Sequence, residues 1–354
     1  MTEPVSDPID WPPAWPRVLD GEFGPPAAGD YRACPEDFAV EECLDFAPEG
    51  EGEHLWLWIE KRDLTTAMVA RELARLCEVA PREVGYSGMK DRVAVTRQWF
   101  SVQLPGREAP EALVERLAAL GIRVLDRGRH PRKLKRGVHR ANRFRLRLTG
   151  AAVEDPGLPA RWDWLCRHGV ANYFGPQRFG PGGRNLLRAR ALLARGWRKR
   201  DDRDGMLLSA ARSFLFNELL AARVRAGNWA TPLPGEVVML DGTASQFSVA
   251  TPDTELWARA ERLDLHPSGV LWGTGDSVAG DAARALEAAL PERYPALCRG
   301  LERARVRLAR RALRLRLADP ALERGDGELW LSFTLPRGAF ATAVLRELIM
   351  HPGL

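Results

Sequence analysis

Apolar residues recur at strand and helix spacings along the first third of the chain. Residues 31–44, the segment HLWLWIEKR at 54–62 and residues 94–104 are rich in aromatic and β-branched residues, and each predicts a strand. Residues 63–80 separate the second and third of these segments and predict a helix that Asp63 or Thr65 can cap. The apolar stripe of this helix consists of Val69, Leu73, Leu76 and Ala80.

A strict alternation at residues 142–148 predicts a half-buried antiparallel strand. Phe144, Leu146 and Leu148 fall on one face, and Arg143, Arg145 and Arg147 fall on the other. Residues 313–318 repeat the pattern, with Leu313, Leu315 and Leu317 opposite Arg314 and Arg316. Either strand alone fits a solvated face whose charge is balanced by acids elsewhere. Two such strands together favour a surface that follows phosphates.

The order of elements predicts an α+β fold in which a mixed sheet is begun, interrupted and then completed. A glycine- and proline-rich loop at residues 172–185 opens the interrupting block. Helices are predicted at about 185–195, 206–226, 281–290 and 299–312. The strand ELWLSFTL and a helix at about 340–350 end the chain. Residues 1–27 are proline-rich and predict an extended, poorly ordered leader.

Composition narrows the class of protein. Of all residues, 45% are hydrophobic and 28% are charged, and no run approaches the ~18 apolar residues of a transmembrane helix. The acidic, proline-rich start differs from a secretory signal. The five cysteines include no CxxC pair, and the six histidines have no metal-ligand spacing. We therefore expect a cytoplasmic protein with reduced thiols, no membrane association and no metal.

The distribution of basic residues predicts a nucleic-acid partner. The net charge is +5, and residues 127–147 contain ten Arg or Lys residues and no acid. The excess of arginine over lysine can also reflect a GC-rich genome, so position is more informative than number. We expect residues 127–140 to form a flexible loop that suits contacts with a phosphate backbone. The predicted backbone contacts are Arg132, Lys133, Lys135, Arg136, Arg143, Arg145 and Arg147.

One aspartate is a candidate for chemistry. In GYSGMKDRVAVTRQWFSV, residues 85–102, Asp91 follows a glycine-rich turn and lies between Lys90 and Arg92. A nearby cation lowers the pKa of an aspartate by about 1–3 units, which keeps it anionic and able to act as a nucleophile or base. A surface salt bridge is the commoner explanation of such a cluster. The sequence contains no phosphate-binding loop, no dinucleotide fingerprint, no HExxH motif and no GxSxG elbow.

The stretch around Asp91 resembles the signature of the TruD family of tRNA pseudouridine synthases. Further motifs resemble the same family in the same order, namely PEDFAVEE, GEGEHLWLWIEKR, RANRFRLRL, NYFGPQRFGPGGRNL, LHPSGVLWG and LPRGAFATAVLREL. The resemblance implies a pseudouridine-synthase catalytic domain with a mixed, mainly antiparallel sheet at residues 28–166 plus 312–354. It also implies an α+β TRUD insertion domain at residues 167–311.

The resemblance further implies a reaction and a set of site residues. Asp91 corresponds to the catalytic aspartate, flanked by Lys90 and Arg92 as substrate-binding residues. The residues that match the uridine pocket are Phe38, Asn142, Phe144 and Phe340. The expected reaction converts uridine 13 of a tRNA, expected to be glutamate tRNA, to pseudouridine. By the same resemblance the enzyme acts as a monomer, and no motif in the sequence calls for a cofactor.

Alternatives remain open for the residues and for the function. The phenylalanines can be plain core residues, and Asn142 can cap its strand instead of binding the uracil edge. The residues do not decide whether Asp91 acts as nucleophile or base. A non-catalytic protein that binds structured RNA would not need Asp91 at all. A glycosidase or nuclease is a further alternative, but a glycosidase usually needs two carboxylates and the sequence near Asp91 offers no obvious second.

Overall fold

The computed structural model describes residues 9–197 and 202–354, so the part of the predicted leader at residues 1–8 lies outside the described residues. The helices are α1 Asp20–Phe23, α2 Thr66–Leu76, α3 Leu113–Ala118, α4 Ala151–Glu154, α5 Leu158–His168, α6 Arg184–Ala194, α7 Asp202–Arg225, α8 Thr254–Glu261, α9 Asp281–Arg293, α10 Pro295–Arg303 and α11 Ala341–Leu348. The strands are β1 Phe38–Cys43, β2 His54–Arg62, β3 Val84–Tyr86, β4 Val95–Gln103, β5 Ile122–His130, β6 Ala141–Leu148, β7 Val170–Ala171, β8 Glu236–Leu240, β9 Gln246–Val249, β10 Leu265–Leu271, β11 Ala309–Ala312, β12 Arg314–Leu315, β13 Ala318–Gly325 and β14 Glu328–Pro336.

The chain forms two compact units. The first, here called the sheet unit, comprises residues 28–155 and 317–338. The second, the helix-rich unit, comprises the described residues of 1–27, 156–316 and 339–354. The predicted domain boundaries differ from this division, because α5 and the residues from Ala339 onward belong to the helix-rich unit. The functional division into catalytic and insertion domains stays a prediction.

The sheet unit, which the structure describes throughout, is built on one mixed sheet of eight strands. The strand order is β13-β14-β6-β1-β4-β2-β5, with β3 paired to β4. The pair β1 and β4 is parallel, and the other pairs are antiparallel. The predicted mixed, mainly antiparallel sheet is therefore confirmed. The strand predicted at residues 31–44 begins only at Phe38, after a short 3₁₀ turn at Pro35–Asp37.

Helix α2 packs one apolar face against β2 and β4. Thr65 caps it by accepting a hydrogen bond from the Met68 amide at 3.2 Å, and Val69 and Leu73 are fully buried in the same cluster as Leu57. The helix ends at Leu76, so the prediction that it continues to Ala80 was wrong. Glu78 has a φ of 53°, a left-handed conformation that a helix cannot contain.

The helix-rich unit contains a four-stranded sheet in the order β11-β10-β8-β9 and the short pair β12 and β7. Helix α10 ends at Arg303, so the helix predicted over 299–312 is wrong beyond that residue, and residues 309–312 form β11. The second cationic strand is shorter than predicted, at Arg314–Leu315, and of its two arginines only Arg316 faces outward, with 52% of its side chain exposed. Arg314 is only 4% exposed, because its guanidinium donates hydrogen bonds to His266 and to the Leu265 carbonyl.

The described part of the leader packs into the helix-rich unit, which contradicts the expectation of poor order for residues 9–27. The ring centroids of Trp11 and Trp15 lie 5.4 and 5.5 Å from that of Phe179. The Trp15 indole nitrogen donates to Glu218 Oε1 at 2.7 Å. Tryptophans in a proline-rich segment supply the apolar area that a disordered leader would lack.

Candidate active site

Asp91 lies in the loop between β3 and β4, and its carboxylate is accessible. The side chain is 47% exposed, and Oδ2 lies 4.0 Å from a guanidinium nitrogen of Arg32. The backbone carbonyl of Asp91 accepts a hydrogen bond from Lys61 Nζ at 3.0 Å. The Lys61 contact therefore anchors the loop through its backbone, while the Asp91 carboxylate stays accessible to solvent.

The two cations that flank Asp91 in sequence form ion pairs with other carboxylates. Lys90 Nζ lies 2.7 Å from Glu42 Oε2, with 5% and 0% of the two side chains exposed. The Lys90 amide donates to Thr66 Oγ1 at 2.9 Å. The Lys90 ammonium thus stabilises the loop from inside the fold, and its predicted contact with substrate stays a prediction.

Arg92 forms an exposed ion pair with Asp63, with 3.3 Å between Arg92 Nε and Asp63 Oδ1. The guanidinium close to Asp91 belongs instead to Arg32, which sequence reasoning missed. Because Arg32 lies far from Asp91 along the chain, no local pattern around the aspartate could have indicated it.

Lys61 is a second residue that sequence reasoning missed. It is fully buried, and burial lowers the pKa of its ammonium to about 8, although the charge of Asp91 acts in the opposite direction. Besides the Asp91 carbonyl, it donates to the carbonyl of Leu64. A signal was present in HLWLWIEKR, since Lys61 has the same strand parity as the buried residues Leu57 and Ile59.

A buried polar cluster supports the loop before Asp91. The Ser87 hydroxyl and His139 Nδ1 are 2.6 Å apart, and His139 Nδ1 lies 3.9 Å from Glu42 Oε2. Burial, with smaller contributions from Lys90 and Arg337, lowers the pKa of His139 to about 4, so the ring is neutral at neutral pH. A Cβ at Gly88 would lie 2.9 Å from His139 Cε1, which explains the glycine in this turn.

Phe38, Asn142 and Phe144 lie on the buried face of the sheet, and their role in a uridine pocket stays a prediction. Val40 is paired with Phe144, and Glu42 with Asn142, between β1 and β6. The rings of Phe38 and Phe144 are both buried, with centroids 6.1 Å apart. The strand register therefore places Asn142 beside the carboxylate that binds Lys90.

Asn142 and Phe38 differ in what surrounds their side chains. Asn142 Oδ1 is buried and has no hydrogen-bond partner among the described residues. A buried amide oxygen without a partner is costly, and a ligand donor can satisfy it. The Arg32 guanidinium lies over the Phe38 ring, 3.9 Å from its centroid. The Phe38 ring therefore packs against the Arg32 guanidinium, and this guanidinium covers one face of the ring.

Phe340 belongs to the helix-rich unit, whereas Asp91, Phe38, Asn142 and Phe144 belong to the sheet unit. It precedes the first residue of α11 and is half-buried, with its ring centroid 5.7 Å from that of Phe174. The Arg178 guanidinium lies 5.5 Å from the same ring. The predicted place of Phe340 in the uridine pocket stays a prediction.

The arginines of β6 do face outward, but acidic residues face them. Arg143 pairs with Glu41 at 3.6 Å, and Arg145 pairs with Glu323 at 3.5 Å. Arg147 lies 3.4 Å from Asp37 and 3.1 Å from Glu328. These acids come from β1, β13 and β14 and from the turn before β1, so the alternation in β6 alone could not indicate them. The strand face is charge-balanced in the structure.

Three basic residues between β5 and β6 differ from the β6 arginines, because no acid among the described residues pairs with them. Arg132, Lys135 and Arg136 are exposed, and none of them takes part in an ion pair within residues 9–197 and 202–354. The backbone of this segment is anchored, because the Gly137 amide donates to the Ser87 carbonyl at 2.8 Å and the Leu134 amide to Ser101 Oγ at 3.0 Å. The expectation that this loop is flexible is therefore wrong for the backbone at Leu134 and Gly137.

Several residues of the expected basic loop lie in a strand or bind other residues of the protein. Residues 127–130 lie within β5. The Lys133 ammonium is half-buried and bonds the Arg82 carbonyl. The Arg136 guanidinium lies 4.0 Å from the Tyr86 ring centroid and donates to its hydroxyl at 2.7 Å. Contacts of these residues with RNA stay a prediction.

Within the described ranges, no group of three or more His, Cys, Asp or Glu side chains is arranged to hold a metal ion. None of the helices in those ranges is both long and apolar enough to cross a membrane.

Comparison with known proteins gives consistent matches over almost the whole chain. The sequence model of the family described as tRNA pseudouridine synthase D (TruD) matches residues 23–199 and 201–348. A tRNA pseudouridine synthase D from Chromohalobacter salexigens is 62% identical over 345 residues, which cover 97% of this chain and 98% of the relative. One from Nitrosococcus oceani is 46% identical over 341 residues and covers 94% of each chain. The crystal structure of a TruD protein from Methanosarcina mazei superimposes with a TM-score of 0.68 at 20% identity, covering 92% of this chain and 94% of that one, which shows a shared fold.

Proposed function

Because the chain belongs to the TruD family of tRNA pseudouridine synthases, and so isomerises uridine in tRNA, we propose that Asp91 is its catalytic carboxylate. We further propose that the substrate is uridine 13, in glutamate tRNA. The enzyme works as a monomer in the cytoplasm and uses no cofactor and no metal.

The reaction is an isomerisation, so no group enters or leaves overall. The bond between N1 of uracil and C1′ of the ribose breaks, the base turns, and C1′ bonds to C5. C5 loses its hydrogen as a proton, and N1 gains one. Asp91 acts on the nucleoside as nucleophile or base, and either role requires an ionised carboxylate that can reach the sugar or base.

The accessible carboxylate of Asp91 carries this proposal. Nearly half of the side chain is exposed, although the loop beneath it is fixed by the buried amine of Lys61. The Arg32 guanidinium lies 4.0 Å away and places a positive charge beside this carboxylate. A carboxylate on a fixed backbone, beside a cation and open to solvent, is pre-organised for reaction with a substrate that is itself surrounded by phosphates.

The neighbouring residues supply a site for the base. A target uridine must leave its stack, at a cost of a few kcal/mol. Stacking on an aromatic ring or on an arginine plane can offset this cost, at about 1–3 kcal/mol per base. Arg32, supported by Phe38, offers such a plane next to Asp91. The unpaired Oδ1 of Asn142 offers an acceptor for the N3–H of uracil.

Tritium release tests the proposed function. We expect tRNA transcripts labelled at C5 of uridine to lose tritium to water, with no strand scission, because C5 exchanges its hydrogen for the bond to C1′. Mapping the modified position should give uridine 13, with glutamate tRNA as the best substrate. Binding without release would identify a non-catalytic RNA-binding protein, and scission would identify a nuclease.

A comparison of two triple variants tests where the tRNA backbone binds. Replacing Arg132, Lys135 and Arg136 by Gln should weaken tRNA binding and reduce its salt dependence by about one unit of slope per lost phosphate contact. The matched control replaces Arg143, Arg145 and Arg147 by Gln. Because acids already pair with these arginines, we expect a smaller change in slope. Equal slopes for the wild type and the first variant would contradict the assignment.

A further inference from the structure

A cavity of about 630 Å³ lies within the helix-rich unit and contains none of the residues assigned above to the reaction. It is lined by Trp164, Trp229, Trp257, Arg167, His168 and Arg314, among others. Glu261 is the only acid among the described residues that line it. Its volume falls within the range of about 300–1,000 Å³ that is typical of small-ligand sites.

Two of the three tryptophans that line this cavity are partly exposed. Trp257 is 45% exposed, which is unusual for so large an apolar side chain, and its indole nitrogen is oriented by the Pro232 carbonyl at 3.5 Å. Trp164 is half-buried, with its ring centroid 4.6 Å from that of His168. Exposed indole faces of this kind stack with nucleobases.

A buried cation forms another part of the wall. Arg314 is 4% exposed and is held by hydrogen bonds from Nε to His266 Nδ1 at 3.1 Å and from Nη2 to the Leu265 carbonyl at 3.0 Å. His266 is in turn oriented by Asp241, with 2.9 Å between Nε2 and Oδ1. The third nitrogen, Nη1, makes no hydrogen bond to any described residue.

Arg314 offers one accessible hydrogen-bond donor, Nη1, to a ligand in the cavity. Burial lowers the pKa of its guanidinium to about 10, and among the residues that the structure describes no carboxylate contacts it directly. Nη1 is accessible to solvent rather than buried, so it can donate to a carbonyl or phosphate oxygen of a ligand in the cavity. Arg167, which is exposed and also lines the cavity, adds a second cation.

We propose that this cavity binds one unpaired nucleotide of the tRNA. The base stacks on Trp257, and Arg314 and Arg167 bind its keto and phosphate oxygens. The combination of indole faces with cations matches a nucleotide, which has both an aromatic ring and a negative charge. The proposal rests on tRNA as the substrate of the family, and it adds a binding site distinct from the residues around Asp91.

The first test replaces Trp257 by Ala. We expect the Kd for tRNA to rise about tenfold, the loss that corresponds to ~1.4 kcal/mol of stacking. Phe247→Ala is the matched control, because Phe247 is an aromatic residue of the same unit that is 40% exposed and does not line the cavity. Melting temperatures of both variants should match that of the wild type. An unchanged Kd for Trp257→Ala would overturn the proposal.

Two further measurements identify the ligand. Arg167→Gln should reduce the salt dependence of tRNA binding by about one unit of slope. Titration with uridine and adenosine monophosphates, followed by tryptophan fluorescence, separates RNA from a free nucleotide. Tight binding of a monophosphate that Trp257→Ala abolishes, together with unchanged tRNA affinity, would overturn the assignment to RNA. Failure of the proposed function would appear separately, as absence of tritium release by the wild type.

Discussion

Asp91→Asn should lose at least about a hundredfold in turnover, the lower end of what a positioned acid–base group contributes, while it binds tRNA nearly as well as the wild type. The amide has the shape of the carboxylate but can neither carry its charge nor attack as a nucleophile. Because the loop is held through the Asp91 carbonyl and through Lys90, the substitution leaves its supports in place. Tritium release and filter binding on the same preparation measure the two effects.

Asp63→Asn is the matched control for this prediction. Asp63 is 46% exposed, like Asp91, and pairs with an arginine of the same loop at 3.3 Å. Its backbone is left-handed, with φ 51°, a conformation that asparagine tolerates. We expect turnover close to that of the wild type. If Asp91→Asn keeps more than about a tenth of the wild-type rate, Asp91 is not the catalytic group.

The second large effect concerns stability. Lys90→Met should lower the free energy of unfolding by about 3–5 kcal/mol, because it leaves the Glu42 carboxylate buried without its ammonium. Urea denaturation measures the loss. Arg92→Met, on the other side of Asp91, removes only an exposed ion pair and should cost less than about 1 kcal/mol.

The loss in Lys90→Met should depend on pH and on Glu42. Burial already raises the pKa of Glu42 above its ordinary value, against the attraction of Lys90, and removal of Lys90 raises it further. A carboxyl with a raised folded-state pKa binds its proton more tightly when folded, so the deficit should shrink as pH falls towards about 5. Glu42→Gln in the Lys90→Met background should recover much of the stability. An equal loss at acid and neutral pH would mean that an uncompensated Glu42 is not its cause.

Local periodicity was enough to predict several elements of this protein. Strand β2 has the bounds that HLWLWIEKR indicates, and the alternation in β6 correctly separates buried Phe144 from outward Arg145. Thr65 caps α2 as one of two predicted caps. These features depend on side chains within a few residues of each other, since strand parity and helix capping are local properties. The order of motifs similarly sufficed to indicate the family.

Only the tertiary structure decided which charges meet. Lys90, adjacent to Asp91 in sequence, binds Glu42, while Arg32 and Lys61 approach Asp91 from other elements. The same reason explains why acids balance the β6 arginines and why Arg314 is buried in spite of an alternating pattern. A charged side chain can be buried or paired only where the fold brings a partner to it. That partner is set by strand order and register across the whole sheet, which no window of sequence contains.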